Sequence, residues 1–417
     1  MNEDRLRRLL GKVPVPDEER AERRGLAVVR AAFAARQPAA GRPALPRLAA
    51  ALAALTLFAA LALSPAGAAV RDWIGDALTV GVRDAEPALT EIPGGGRLLV
   101  SSPQGSWVVQ PDGSRRLLGD YPEAAWSPRG LFVVTASGHM LSAVEPDGTV
   151  RWSLSTDDSV TDMRWSPSGV RIAYLTAAYR TGSALRVVAG DGSGDALIDG
   201  SVAPVAPVWL PRGQHLLAYV DAGDTLRIVN PDTGKTLGSA PASGTAVELD
   251  WAHDGSRLLE ATTRSLRLRD VTVSKLSARL SLGPPRDVAL PPAMTVRAAA
   301  FSPDGRSLAV IGQRLERGRR PGHSELYLMS SAGTSRRLLF TGPGLLSTLD
   351  WSPDGRRLLI AWPEADQWLF IPAQGRGRVR AIGGISSEFA PGDADSAVFP
   401  LIDGWCCAAT VGIPRSP

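Results

Sequence analysis

The sequence predicts an all-β fold: a ring of seven four-stranded antiparallel blades, a propeller, carried on an anchored N-terminal tail. Three observations point there. A ten-residue unit recurs, as in Trp351-Ser-Pro-Asp-Gly-Arg-Arg-Leu-Leu-Ile360. Its copies stand 39 to 50 residues apart. A second turn signal is interleaved at the same period. A repeat of that length with strand signals and no helical period is the mark of a blade of about four strands.

The unit is a turn followed by a strand. Ser-Pro-Asp-Gly suits the four places of a type I turn: Pro presets φ at the second, and Gly is favoured at the fourth. A short apolar run follows, such as Arg171-Ile-Ala-Tyr-Leu175, bounded by turn signals as a buried strand should be. The aromatic residue before each turn lies at Trp126, Trp165, Trp209, Trp251, Phe301 and Trp351. A surface loop has no need of an aromatic at a fixed offset; a wedge between packed sheets does. Weaker echoes flank the series at Ile92-Pro-Gly-Gly-Gly-Arg97 and Phe389-Ala-Pro-Gly-Asp393. The interleaved signals are Pro111-Asp-Gly113, Pro146-Asp-Gly148, Gly190-Asp-Gly192, Pro231-Asp-Thr-Gly234, Ala332-Gly333 and Gln374-Gly375, each read as a hairpin within a blade.

The Trp/Phe-Ser-Pro-Asp-Gly-Arg-apolar unit resembles the WD40-like (PD40) repeat of TolB-type β-propellers, over roughly residues 90 to 400. It lacks the Gly-His and Trp-Asp pairing of true WD40 repeats, and His253, Arg129 and Arg212 depart from the consensus. The resemblance implies a binding or scaffold surface and names no ligand. Blades are expected to open near 92, 126, 165, 209, 251, 301 and 351; eight blades is the alternative count. Residues after Phe389, with Leu78-Thr-Val80, are expected to close the ring and remove its open edges.

The first seventy residues differ. Residues 48–70 carry no charge and are mostly Ala and Leu, about 35 Å of helix at 1.5 Å per residue, enough for a bilayer core of about 30 Å. Residues 1–47 carry eleven Lys/Arg against six Asp/Glu. The positive-inside bias puts that segment in the cytoplasm, the chain across the cytoplasmic membrane once, and the propeller, within 71–417, outside. Within the tail, Asp17 caps a helix expected over about 17–36, with Leu26, Val29 and Phe33 on one face. The alternatives for that helix are a lipid-surface stripe and a docking helix for a cytoplasmic regulator. Cleavage near Ala68 would instead give a secreted form.

Composition removes one class of partner. The whole chain is +4 and residues 1–47 are +5, leaving −1 for the rest, so the propeller is near neutral and nucleic acid is not expected. Cys406 and Cys407 are the only cysteines and are adjacent. A vicinal disulfide, a pair of buried thiols and a bond to another chain are all open. No catalytic motif stands out. The four His form no zinc pair, no Gly-x-Ser-x-Gly occurs, and Asp191-Gly-Ser-Gly-Asp195 lacks the remaining places of a calcium loop. The sequence therefore reads as non-enzymatic, with no catalytic or metal residues and no cofactor. Its partner is an unidentified protein or envelope component.

Because strands alternate in direction, both kinds of tight turn fall on one face of the disc. The opposite face carries the irregular connections, and recognition is expected there. The candidates are Tyr179, Arg180, Arg317, Arg319, Arg320, His323, Glu364 and Asp366. The leading expectation is a membrane-anchored binding module at the cell envelope; the alternative is a transmembrane signalling protein.

Overall fold

The computed structural model describes residues 85, 86, 88–178, 182–212, 215–244, 246–273, 280–314, 323–374, 377–390 and 398–407. The tail helix, the apolar segment 48–70 and Leu78-Thr-Val80 lie outside these residues. Among the described residues no helix is long and apolar enough to cross a membrane.

Seven antiparallel sheets form the ring. Blade 1 holds β1 (Arg97–Ser102), β2 (Gly105–Val109) and β3 (Arg115–Gly119), with β29 (Leu401–Cys406) as its innermost strand. Blade 2 is β4 to β7, from Glu123 to Ser155, and blade 3 is β8 to β11, from Ser159 to Val202. Blade 4 is β12 to β15, from Val208 to Pro241. Blade 6 is β21 to β24, from Met294 to Gly342, and blade 7 is β25 to β28, from Leu349 to Gly383. Blade 5 is β16 to β19, from Ala246 to Leu282, with a fifth piece, β20 (Arg286–Asp287), also paired to its third strand. That piece falls in Gly283 to Pro292, which the sequence suggests is irregular. Pro284 and Pro285 cannot donate to the ladder, so the outer strand breaks there and resumes.

Burial follows strand position. The second strand of blade 7, Arg357–Trp362, is buried at five of six positions, whereas the outermost strand of blade 2, Val150–Ser155, alternates between exposed and half-buried. Sheet faces covered on both sides demand the continuous apolar runs that mark the repeat. An apolar cluster fills each blade junction, and each repeat aromatic sits in the cluster shared with the preceding blade. Trp209 packs with blade 3, Trp251 with blade 4 and Trp351 with blade 6.

The Ser-Pro-Asp-Gly units are the turns from first to second strand. In blade 7, Gly355 N donates to Ser352 O at 2.8 Å, and Gly355 holds φ 68°, where Gly has no steric penalty. Ser352 Oγ accepts from Arg357 N at 2.9 Å, and Asp354 accepts from Arg356 N at 3.0 Å. The interleaved hairpins join third to fourth strands, further out than mid-blade.

The ring is closed, as expected, by residues after Phe389, namely β29. Phe389 itself follows a short helix, α1 (Ile385–Glu388), and lies buried against Trp107 and Trp368 at ring separations of 5.9 and 5.5 Å. The mark near Ile92 needs correcting. The seventh aromatic is Trp405. Blade 1's turn is divided between the ends of the ring: Trp405-Cys-Cys407 occupies the Trp-Ser-Pro places, and Arg97-Leu-Leu-Val100 supplies the strand. The register shows it, since Leu98 faces Trp405 as Leu358 faces Trp351.

Candidate functional site

The inner strands of all seven blades converge on an axial cavity of about 1070 Å³. Its walls carry Asp162, Glu248, Asp250, Asp350 and Asp403 against two guanidinium groups, Arg164 and Arg297. Pro128, Pro167, Pro211, Pro303 and Pro353, all from first-to-second-strand turns, also line it, so the cavity reaches the tight-turn face.

The acids reach forward around the ring and the indoles reach back. Asp250 Oδ2 accepts from Phe301 N at 2.7 Å, and Glu248 Oε2 from Ala299 N at 2.9 Å, tying blade 5 to blade 6. Glu123 accepts from Asp162 N at 3.0 Å, tying blade 2 to blade 3. Asp350 accepts from Trp351 N at 2.8 Å and from the Trp405 amide, tying blade 7 to blade 1. In return, Trp209 Nε1 donates to Arg164 O at 2.9 Å and Trp351 Nε1 to Ala300 O at 3.2 Å. Among the described residues the buried Trp126 and Trp165 indole N–H groups find no partner.

These carboxyls are half-buried by surface area yet ringed by protein on every side of the channel. Burial pushes Glu248, Asp250, Asp350 and Asp403 up to about 7, against the backbone and hydroxyl hydrogen bonds that favour the charged form. The channel wall therefore changes charge near neutrality. Glu248, Asp250 and Asp350 are already committed to joining blades, which makes the cavity an axle as well as a receptacle.

Cys406 and Cys407 are joined in a vicinal disulfide and both line the cavity. Cys407 holds φ 59°, and Cys406 Sγ faces Ser127 O in the blade 2 turn. Arg97, stacked 4.8 Å from the Trp126 ring centroid, donates to Gly130 O at 2.6 Å beside them.

Of the residues expected on the irregular face, Tyr179, Arg180, Arg317, Arg319 and Arg320 lie outside the described residues. His323 precedes the third strand of blade 6, its carbonyl accepting from Arg314 N at 3.0 Å. Glu364 sits in a one-turn 3₁₀ helix, Pro363–Ala365, and accepts from Leu345 N at 2.9 Å. Asp366, at φ 53°, accepts from the Ser386 amide and hydroxyl, both at 2.7 Å. Glu364 and Asp366 thus brace neighbouring loops. Among the described residues no group of His, Cys, Asp and Glu is arranged to hold a metal ion. The acidic wall was missed from sequence because its members lie on inner strands of separate blades. The only local hint was Asp before Trp at 250 and 350.

The fold defines the chain as a seven-bladed β-propeller, and solved structures share it. The propeller domain of Cps50 (Swd1) from Myceliophteria thermophila matches at 17% identity and TM-score 0.52, covering 70% of this chain and 98% of that one. A "putative 6-phosphogluconolactonase" from Bacteroides uniformis matches at 14% identity and TM-score 0.50, with the same coverages. No family model matches the sequence, and no curated protein does.

Proposed function

We propose that the protein is a membrane-anchored, extracytoplasmic propeller that acts as a binding or scaffold module at the cell envelope. The observation that carries this reading is how the irregular-face loops are held. Glu364 and Asp366 pin them internally, and Asp221 Oδ1 accepts from Gly223 N and Thr225 N at 2.9 Å in the corresponding blade 4 loop. A loop surface ordered before its partner arrives loses less entropy on binding. The resemblance of the repeat to TolB-type propellers supports the same role. The disulfide supports an oxidising compartment, where such bonds persist. The charge bias around residues 48–70 supports an inside N-terminus.

The test has two parts. Protease added to cells with any outer barrier opened should digest the propeller and spare the segment before Arg47; digestion only after lysis would reverse the orientation. Proteins co-purified from membranes with the full chain should be lost on replacing Arg317, Arg319 and Arg320 together by Ser, with the melting temperature unchanged. Loss caused by tight-turn substitutions instead would put recognition on the opposite face. The second reading, transmembrane signalling, requires residues 1–47 to capture a specific cytosolic protein, which a pull-down with that segment decides.

A further inference from the structure

Three side chains from two adjacent blades meet on the tight-turn face. Ser168 fills the third place of the blade 3 turn, where blades 6 and 7 carry Asp304 and Asp354. His215 follows the corresponding turn of blade 4, and Asp232 lies in that blade's outer hairpin. Ser168 Oγ is 3.0 Å from His215 Nε2, and His215 Nδ1 is 3.0 Å from Asp232 Oδ2. Arg171 Nε donates to the other carboxylate oxygen at 2.9 Å, which fixes the acid in place.

We propose that Ser168, His215 and Asp232 form a serine nucleophile site that takes acyl groups from activated carboxylic esters, an activity beyond the binding role above. The roles follow from the atoms. Asp232 accepts the Nδ1 proton, so Nε2 keeps its lone pair for the Ser168 hydroxyl proton. Ser168 is exposed, and the His215 and Asp232 side chains are 28% and 35% exposed, so an ester can reach them. Ser168 Oγ also meets Ser166 Oγ at 3.1 Å and Val170 N at 3.4 Å, the latter too long to hold it firmly.

In the reaction Ser168 Oγ bonds to the acyl carbon while its proton passes to His215 Nε2. The carbon–oxygen bond to the alcohol then breaks, and the alcohol leaves with that proton. Water, deprotonated by the same imidazole, releases the carboxylic acid and restores the serine. The turn offers little to a developing oxyanion: Gly169 N already donates to Ser166 O at 2.9 Å, and Arg171 N to Ser166 Oγ at 3.0 Å. One such donor is worth about 100- to 1000-fold in rate. The substrate must therefore supply a good leaving group, which selects aryl and similarly activated esters.

The full chain in detergent should be treated with a fluorophosphonate probe, the adduct mapped by peptide mass spectrometry, and p-nitrophenyl acetate hydrolysis followed in parallel. The expected adduct is on Ser168. Ser168→Asp restores the residue that other blades use at this place, so it keeps the fold and should abolish both signals. His215→Gln should slow labelling by about 100-fold, as for loss of a general base. Asp232→Asn should slow it in the same direction. His253→Gln, at the turn of another blade, should change nothing. A wild-type chain without an adduct at Ser168, labelling at the wild-type rate in His215→Gln, or ester hydrolysis that survives Ser168→Asp would each overturn the proposal.

Discussion

Replacing Trp351 by Ala tests the physical basis of the repeat. The side chain is 5% exposed, fills the junction of blades 6 and 7, and donates to Ala300 O at 3.2 Å. Truncating a buried Trp to Ala removes about 3–5 kcal/mol. Unfolding entropy near the melting point is about 2.1 cal/mol/K per residue, or about 0.7 kcal/mol/K for a ring of roughly 320 residues. A loss of about 4 kcal/mol then lowers the melting temperature by about 6 °C. Trp351→Phe separates the two contributions, because it keeps an aromatic wedge and loses only the donor, as Phe301 does naturally in blade 6. It should cost about 1–2 kcal/mol, about 2 °C, as for a hydrogen bond whose buried acceptor is left alone. The assay is calorimetry or circular dichroism on the full chain, with both variants measured at one pH. An Ala variant melting within 1 °C of wild type would refute the wedge. A Phe variant as damaged as the Ala variant would show that the donor, rather than the packing, holds the junction.

The channel carboxyls make stability depend on pH. Asp350 titrates at about 7 in the folded ring and at about 3.9 in the unfolded chain, so between those values the folded state holds the extra proton. Its contribution is present in full below the unfolded value and is lost as pH rises through about 7. The melting temperature should therefore fall by a few degrees from pH 5.5 to pH 8, and Asp350→Asn should flatten that slope; a stability that rises over this range would contradict the assignment. Iodoacetamide should not modify the unreduced, unfolded chain and should add twice after dithiothreitol; labelling without reductant would mean free thiols at Cys406 and Cys407.

The blades were legible because their signals are local. Trp351, the Ser352-Pro-Asp-Gly355 turn and the run Leu358-Leu-Ile-Ala361 lie within eleven residues, and each local choice serves the same fold. Trp405 was harder to see because its turn is interrupted: the Gly and the strand that follow every other aromatic are here at the far end of the ring. Phe389 is a weaker echo for the converse reason: Ala-Pro-Gly after an aromatic resembles the unit, while the residue fills a core pocket against Trp107 and Trp368. The Ser168–His215–Asp232 group was invisible to motif reading because its members come from three different turns: strand pairing within blade 4 brings His215 to Asp232, and the packing of blade 3 against blade 4 adds Ser168, each contact at 3.0 Å. Glu364 and Asp366 were legible as loop acids, but sequence alone cannot show that their oxygens face backbone amides of neighbouring loops.

The way blade 1 is closed also governs when folding can finish. Trp405 Nε1 reaches Gly95 O, 310 residues earlier in the chain, and Leu98 pairs with Trp405 across a similar span. Contacts so distant in sequence form late, because a long loop must close before they return any stabilisation. During synthesis, β1 therefore waits with one unpaired edge until the last strand of the ring has left the ribosome, and an unpaired edge is a template for pairing with other chains. Residues 401–406 thus decide whether the ring has an edge at all: a chain without them presents the open flank of β1, which the finished disc covers.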